Sequence, residues 1–255
     1  MPQYRIINAE DWGGTWKRPP FFEKLEDPEA YIHHTAGNPK SHMPAEQALR
    51  EMNQYSQDVK DYSFLDYDFM VHWEEAKDLY TIAEGRGEWM SAATLDRNEL
   101  GEAVCVMGYF HTGHKLSQKP NPGHIVAVAI ALVEMRRRKL IAAEPKIMGH
   151  YQNLAFPIPQ TGCPGNLFIP HIPEVIWLFN EMIKAPDTGD IMAQLNGVKI
   201  RFKSYANQLF AFRMSADTMQ SGGIIDDPIV ILEDPTAAQK AAIEEQLGQP
   251  LKPIV

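Results

Sequence analysis

The pattern of apolar and polar positions predicts helices alternating with strands up to about residue 184. Apolar side chains that recur on one helical face predict helices over residues 44–58, 123–140 and 172–184. Short apolar runs predict strands at residues 30–32, 65–73, 79–83, 103–110 and 145–150. Helices alternating with strands indicate an α/β domain in which a mixed central sheet is flanked by helices. Residues 1–30 have no regular pattern, and we expect an irregular arm there.

The pattern changes after residue 185. Residues 185–190 contain Pro, Gly and Asp and are predicted to form a linker. Short strands are expected at residues 198–202, 208–213 and 228–232, with a turn at Asn196–Gly197 and a helix over residues 236–247. We therefore expect one domain over residues 1–185 and a small β-rich module over residues 190–255.

Composition and charge exclude several classes of protein. A hydrophobic content of 44% rules out wholesale disorder. The formal net charge of -9 argues against nucleic-acid binding through phosphate contacts, which needs a basic face. The longest apolar stretch, Ile125–Val133, is far shorter than the roughly 20 residues of a membrane-spanning helix. The first residues lead into no apolar core of signal-peptide length, so we expect no export by the usual route.

Histidine and cysteine residues at the ends of predicted strands indicate a metal site. His33 and His34 follow one short strand, His150 ends another, and Cys163 lies in the turn-rich loop after it. Imidazole and thiolate together are the ligands of a borderline-soft ion such as Zn²⁺, and three protein ligands leave a catalytic zinc one open position. From the residues alone, a His-His pair is more often surface or packing than a metal site.

Motifs in a fixed order carry a resemblance to a known family. The chain resembles the zinc-dependent N-acetylmuramoyl-L-alanine amidases, the type shared by phage lysozyme-like amidases and peptidoglycan recognition proteins. The resemblance covers roughly residues 5–183, and each single motif is weak whereas the ordered set is specific. The matching segments are Ile7–Gly13, Tyr31–Ala36, Leu65–Val71, Ile82–Arg86, Val104–Phe110, Gly149–His150 and Thr161–Gly165.

The resemblance implies a role for each matched position. It makes His33, His150 and Cys163 the zinc ligands. It places Tyr67 beside the metal, where its hydroxyl holds water or a substrate oxygen, and Thr161 opposite the metal-bound oxygen. The alternatives from the residues stay open: His34 as the ligand in place of His33, Tyr67 as a packing residue, and Thr161 as a turn cap.

The chain also departs from the family pattern in two places. The loop between His150 and Cys163 is longer than in the compact members. In residues 88–99 no histidine follows the Glu-Gly-Arg strand, as it does in some members, and Ser91–Ala93 stands there instead. These departures concern the substrate groove and leave the expected metal ligands in place.

The resemblance implies hydrolysis of the amide bond between N-acetylmuramic acid and L-alanine in bacterial peptidoglycan. We expect a phage lysin, present in the host cytoplasm before release or carried on the virion, with the module at 190–255 adding wall or partner binding. Three alternatives remain: a cytosolic amidase that recycles muropeptides, a peptidoglycan-binding module without catalysis, and a structural zinc with His34 as its fourth ligand. The presence of Cys163 argues against the binding module, which typically lacks the third ligand.

Overall fold

The computed structural model describes residues 2–19, 26–184, 190–195, 198–205, 208–214 and 227–232, the last four segments through their backbone only. The chain forms two compact units, one of Ile6–Phe179 and one of Met1–Arg5 with Asn180–Val255. The turn expected at 196–197 and the helix expected at 236–247 lie outside the described residues. The linker expected at 185–190 also lies outside them except for Asp190, which the structure places at the start of a strand.

A six-strand mixed sheet flanked by helices forms the centre of the fold, which confirms the predicted α/β class. Its strand order is β6-β2-β5-β3-β4-β1. Strand β2 runs parallel to both β5 and β6, β3 runs parallel to β5, and β3 and β4 are antiparallel. The strands are β1 (Gln3–Ile7), β2 (Asp27–His34), β3 (Phe69–Glu74), β4 (Leu79–Glu84), β5 (Gly101–Val106) and β6 (Ile141–Gly149).

The three helices predicted up to residue 184 are all present, as α1 (Ala45–Asp58), α2 (Pro122–Arg137) and α3 (Ile172–Lys184). Helix α2 packs on strands β3 to β6 and is buried along almost its whole length. It therefore lacks the polar stripe of a surface helix. Its first turn is closed by a reciprocal cap between Asn121 and His124, with Pro122 at the first helical position. Helix α1 buries Ala48 and Leu49 in a cluster with Met70 and Cys105 of the sheet.

The structure corrects several predicted elements. Strand β2 begins three residues and β6 four residues earlier than expected, and α2 ends three residues earlier. Strand β1 lies within the segment expected to be irregular, and only Tyr4 of its five residues is buried, so no alternating pattern marks it. The strand expected from residue 65 begins at Phe69. Just before it, the N–H of Asp68 donates to the carbonyl oxygen of Ala103 at 3.0 Å, and the Asp68 carboxylate accepts the N–H of Ala103 at 2.6 Å. Strand β5 ends at Val106, and Phe110 is buried in the loop that follows.

The second unit contains four strands in the order β10-β9-β8-β7, each antiparallel to its neighbour. They are β7 (Asp190–Leu195), β8 (Val198–Tyr205), β9 (Gln208–Met214) and β10 (Asp227–Leu232). The expected β-rich character is confirmed, and β7 is a strand that the sequence pattern missed. Within the described residues, no helix is both long and apolar enough to span a membrane.

Candidate metal centre

Three parallel strands bring two histidines to one edge of the sheet. In β2, Ile32 pairs with Gly149 of β6, and the next residue, His33, pairs with Cys105 of β5. Strand β6 ends at Gly149, and His150 begins a short 3₁₀ turn. Because β2 and β6 are parallel neighbours, their carboxyl ends lie side by side. The imidazole rings of His33 and His150 are therefore adjacent, with centroids 4.4 Å apart.

The loop that carries Cys163 folds back onto both histidine segments. The backbone N–H of Tyr151 donates to the carbonyl oxygen of Cys163 at 2.8 Å. The backbone N–H of His34 donates to the Cys163 sulfur at 3.3 Å. These two bonds place Cys163 Sγ 3.8 Å from Nδ1 of His33. A cysteine far along the chain thus reaches the edge where the histidines meet.

The three predicted ligands form one compact group. Candidate ligand atoms of His33, His150 and Cys163 all lie within 4.8 Å of one another, and His33 and Cys163 are buried. Among the residues that the structure describes, it is the one group of three or more His, Cys, Asp or Glu residues whose ligand atoms lie close enough together to hold a metal ion. His34 is not a member. Its Nδ1 instead accepts the backbone N–H of Phe110 at 3.3 Å, which favours a structural role for this histidine.

Burial determines the protonation of the group. It lowers the pKa of His33 well below its ordinary value, with His150 and His34 adding to the effect, and it also lowers the pKa of His150. Both imidazoles are therefore neutral at pH 7 and offer a lone pair. Burial raises the pKa of Cys163 to about 12, although the N–H of His34 opposes the rise. Two neutral imidazoles with one buried thiol suit a zinc ion, whose charge favours the thiolate.

Tyr67 lies against this group, in the loop before β3. Its ring centroid is 5.4 Å from that of His33. Burial raises the pKa of Tyr67 well above its ordinary value, with Cys105 and Asp66 adding to the effect. The hydroxyl therefore keeps its proton and can act as a hydrogen-bond donor.

The segment after β4 holds the backbone of Tyr67 in place. The N–H of Arg86 donates to the carbonyl oxygen of Tyr67 at 2.9 Å. A Cβ at Gly85 would lie 2.2 Å from that same oxygen, so only glycine permits this approach. The guanidinium of Arg86 also donates to the carbonyl oxygen of Leu65, two residues before Tyr67, and to that of Met90. The Gly-Arg pair is thus a support for Tyr67.

Thr161 is half-buried two residues before the cysteine. Its hydroxyl oxygen accepts the backbone N–H of Cys163 at 3.1 Å. This is the turn-capping role that the sequence left open as an alternative. The bond uses the hydroxyl oxygen as acceptor and leaves its proton available for a second partner.

A further contact in the centre has no counterpart in the sequence analysis. Oγ1 of Thr94 lies 3.0 Å from Nε2 of His33, on the side of the ring away from Cys163. Thr94 is fully buried in the loop between β4 and β5. A single threonine in a loop has no motif or spacing to mark it, so only the folded chain reveals this contact.

Comparison with solved structures identifies the fold. The ectodomain complex of peptidoglycan recognition proteins LCa and LCx with tracheal cytotoxin aligns at 23% identity and TM-score 0.54, covering 66% of this chain and 95% of that chain. Drosophila peptidoglycan recognition protein LB aligns at 20% identity and TM-score 0.53, covering 67% and 93%. Peptidoglycan recognition protein LE in complex with tracheal cytotoxin, a monomeric diaminopimelic acid-type peptidoglycan, aligns at 20% identity and TM-score 0.55, covering 66% and 92%.

These similarities show that the chain has the fold of the peptidoglycan recognition proteins. At such identities the similarity concerns the fold alone. No protein-family model matches the sequence, and no curated protein sequence matches it. Any activity must therefore be argued from the metal centre of this chain.

Proposed function

We propose that the chain is a zinc-dependent amidase that hydrolyses the bond between N-acetylmuramic acid and L-alanine in peptidoglycan. The observation that carries the proposal is the meeting of His33, His150 and Cys163 within 4.8 Å of one another. Two histidines and one cysteine are a ligand set of catalytic zinc, in which a fourth position stays open to water or substrate. The three residues come from distant parts of the chain, and the fold gathers them at one edge of the sheet.

The fold and the ordered motifs together support peptidoglycan as the proposed substrate. Two of the three structures described above hold tracheal cytotoxin. The motifs from Tyr31–Ala36 to Thr161–Gly165 resemble those of amidases that cut this polymer. We therefore assign peptidoglycan or its fragments as the ligand, and the muramoyl amide as the bond cut.

The residues around the centre have distinct tasks in this reaction. His33, His150 and Cys163 would hold the zinc ion, which when bound supplies an activated water and polarises the amide carbonyl. Tyr67 would donate a hydrogen bond from its hydroxyl to the oxygen that becomes negative in the transition state. Thr161, whose oxygen already accepts the N–H of Cys163, would donate a hydrogen bond from its hydroxyl to the same oxygen.

The non-catalytic alternative differs from this proposal in one observable feature. A binding module needs a peptidoglycan groove but no complete set of metal ligands. Here the third candidate ligand is present and its sulfur lies 3.8 Å from the imidazole of His33. This favours the enzyme over the binder.

We propose further that the enzyme acts as a phage lysin and that residues 190–255 bind the cell wall or a partner. The four strands of this segment form a unit distinct from the one that holds the metal centre. Removing residues 190–255 should then reduce cleavage of intact walls and spare cleavage of soluble muropeptides. Equal loss on both substrates would contradict this division of roles.

Mass spectrometry of purified sacculi after digestion tests the activity. We expect free muramic acid lactyl groups together with new L-alanine amino termini. The Cys163→Ser variant, digested in parallel, should release neither. Cut glycosidic bonds or cut peptide cross-links would assign a different hydrolase activity, and tight binding without any cleavage would make the chain a recognition module.

A further inference from the structure

The loop at residues 91–98, which we name the Thr94 loop, contacts both histidine segments of the metal centre. Thr94 Oγ1 lies 3.0 Å from Nε2 of His33. One residue later, the carbonyl oxygen of Leu95 accepts the side-chain N–H of Asn153 at 2.8 Å. Asn153 directly follows the 3₁₀ turn that His150 begins. The loop thus touches the strand that carries one candidate ligand and the turn that carries another.

The Thr94 loop is itself fixed at several points. The N–H of Thr94 donates to Oδ1 of Asn98 at 2.8 Å, and the N–H of Arg97 donates to the carbonyl oxygen of Thr94 at 3.0 Å. Arg97 in turn forms a two-pronged ion pair with Glu29 of β2, the strand that carries His33. Because its backbone is fixed and its side chain is fully buried, Thr94 has little freedom to move its hydroxyl away from the imidazole of His33.

The two nitrogens of His33 face different partners. Nδ1 faces the Cys163 sulfur at 3.8 Å, and Nε2 faces the Thr94 hydroxyl at 3.0 Å. A neutral imidazole carries its proton on one nitrogen and a lone pair on the other. A hydroxyl oxygen that accepts from Nε2–H fixes the proton there and leaves the lone pair on Nδ1, the nitrogen that lies 3.8 Å from the Cys163 sulfur.

We infer that Thr94 is a positioning residue that holds His33 in the tautomer able to bind metal through Nδ1. This inference rests on the proposed function, because it takes His33, His150 and Cys163 as the zinc ligands. Metal-binding histidines ordinarily donate their second N–H to such a partner, which orients the ring and strengthens the ligand. Here a threonine hydroxyl supplied by the Thr94 loop has that role.

The test measures zinc affinity by competition with a chromophoric chelator. Thr94→Val keeps the shape of the side chain but removes the acceptor, so affinity should fall on the order of 10- to 100-fold. Thr94→Ser restores the hydroxyl and should recover most of the affinity. Thr81→Val is the matched control, because Thr81 is an equally buried threonine in β4, away from the centre, and its affinity should match that of the unchanged chain.

The outcomes separate this inference from the proposed function. If the unchanged chain binds no zinc, the proposed function fails. If it binds zinc and Thr94→Val binds it equally well, Thr94 has no positioning role while the proposed function stands. Long-range ¹H–¹⁵N NMR of the unchanged zinc-loaded chain needs no variant to fold. It should find the His33 proton on Nε2, and a proton on Nδ1 would overturn the inference.

Discussion

The sulfur of Cys163 lies 3.8 Å from Nδ1 of His33, although 130 residues separate the two in sequence. Main-chain hydrogen-bond donors produce this approach: the N–H groups of His34 and Tyr151 both bond to Cys163. The bond from Tyr151 joins two backbone groups and does not depend on any ligand side chain. Replacing one ligand should therefore remove metal before it removes the fold.

The first prediction concerns zinc content. Cys163→Ser should lose most of the bound zinc, because a hydroxyl is a much poorer zinc ligand than a thiolate. Cys105→Ser is the matched control, since Cys105 is buried in β5 but is not part of the ligand group, and it should keep its zinc. Elemental analysis of folded protein measures both. Full zinc occupancy in Cys163→Ser would remove this residue from the site.

The second prediction separates the neighbouring histidines. His33→Ala should lose zinc and amidase activity. His34→Ala should keep zinc and much of the activity but be less stable by about 1–3 kcal/mol, because it leaves the buried N–H of Phe110 without its acceptor. Chelator competition and urea unfolding supply the two readouts. Loss of zinc from His34→Ala alone would show that the wrong member of the pair has been chosen.

The sequence was most informative where chemistry and periodicity coincide. The apolar run around β5 and the helical spacing of α1 predicted elements that the structure confirms. The meeting of His33, His150 and Cys163 followed from the order of motifs, and the geometry brings these residues together as expected. Such features are local or are marked by rare residue types.

The remaining features depend on tertiary contacts. Strand β1 has a single buried residue, so its pairing leaves no pattern in the sequence. Tyr67 was expected within a strand, but it lies in a loop whose shape depends on the close approach of Gly85. Thr94 lies 61 positions after His33 in sequence and becomes its partner only in the folded chain.

The third prediction concerns the tyrosine beside the centre. Tyr67→Phe should keep zinc and stability while kcat falls on the order of 10²-fold, because one hydrogen bond to the transition-state oxygen is lost. Steady-state kinetics on a soluble muropeptide, with zinc content measured on the same sample, checks this. An unchanged kcat would reduce Tyr67 to a packing residue.

The fourth prediction concerns the acid stability of the first turn of α2. Burial, with a smaller effect from His72, lowers the pKa of His124 to about 3. The unfolded chain takes up this proton near the ordinary value of 6.5, whereas the folded chain does not, so stability falls as pH drops below that value. Between pH 7 and pH 5 this one histidine should cost about 2 kcal/mol.

His124→Gln provides the comparison for that prediction. Glutamine keeps a side chain suited to the reciprocal cap with Asn121 but does not titrate. Urea unfolding at both pH values should therefore find that the unchanged chain loses more stability on acidification than the variant. Parallel losses in the two proteins would mean that His124 is protonated in the folded chain as readily as in the unfolded chain.

The central claim is that His33, His150 and Cys163 bind one catalytic zinc ion, and X-ray absorption at the zinc edge tests it most directly. The account predicts one zinc per chain with two nitrogen ligands at about 2.0–2.1 Å, one sulfur at about 2.3 Å and one further light atom. Cys163→Ser should lose the sulfur signal. Zinc bound without any sulfur, or a purified chain that binds no zinc when it is supplied, would contradict the account.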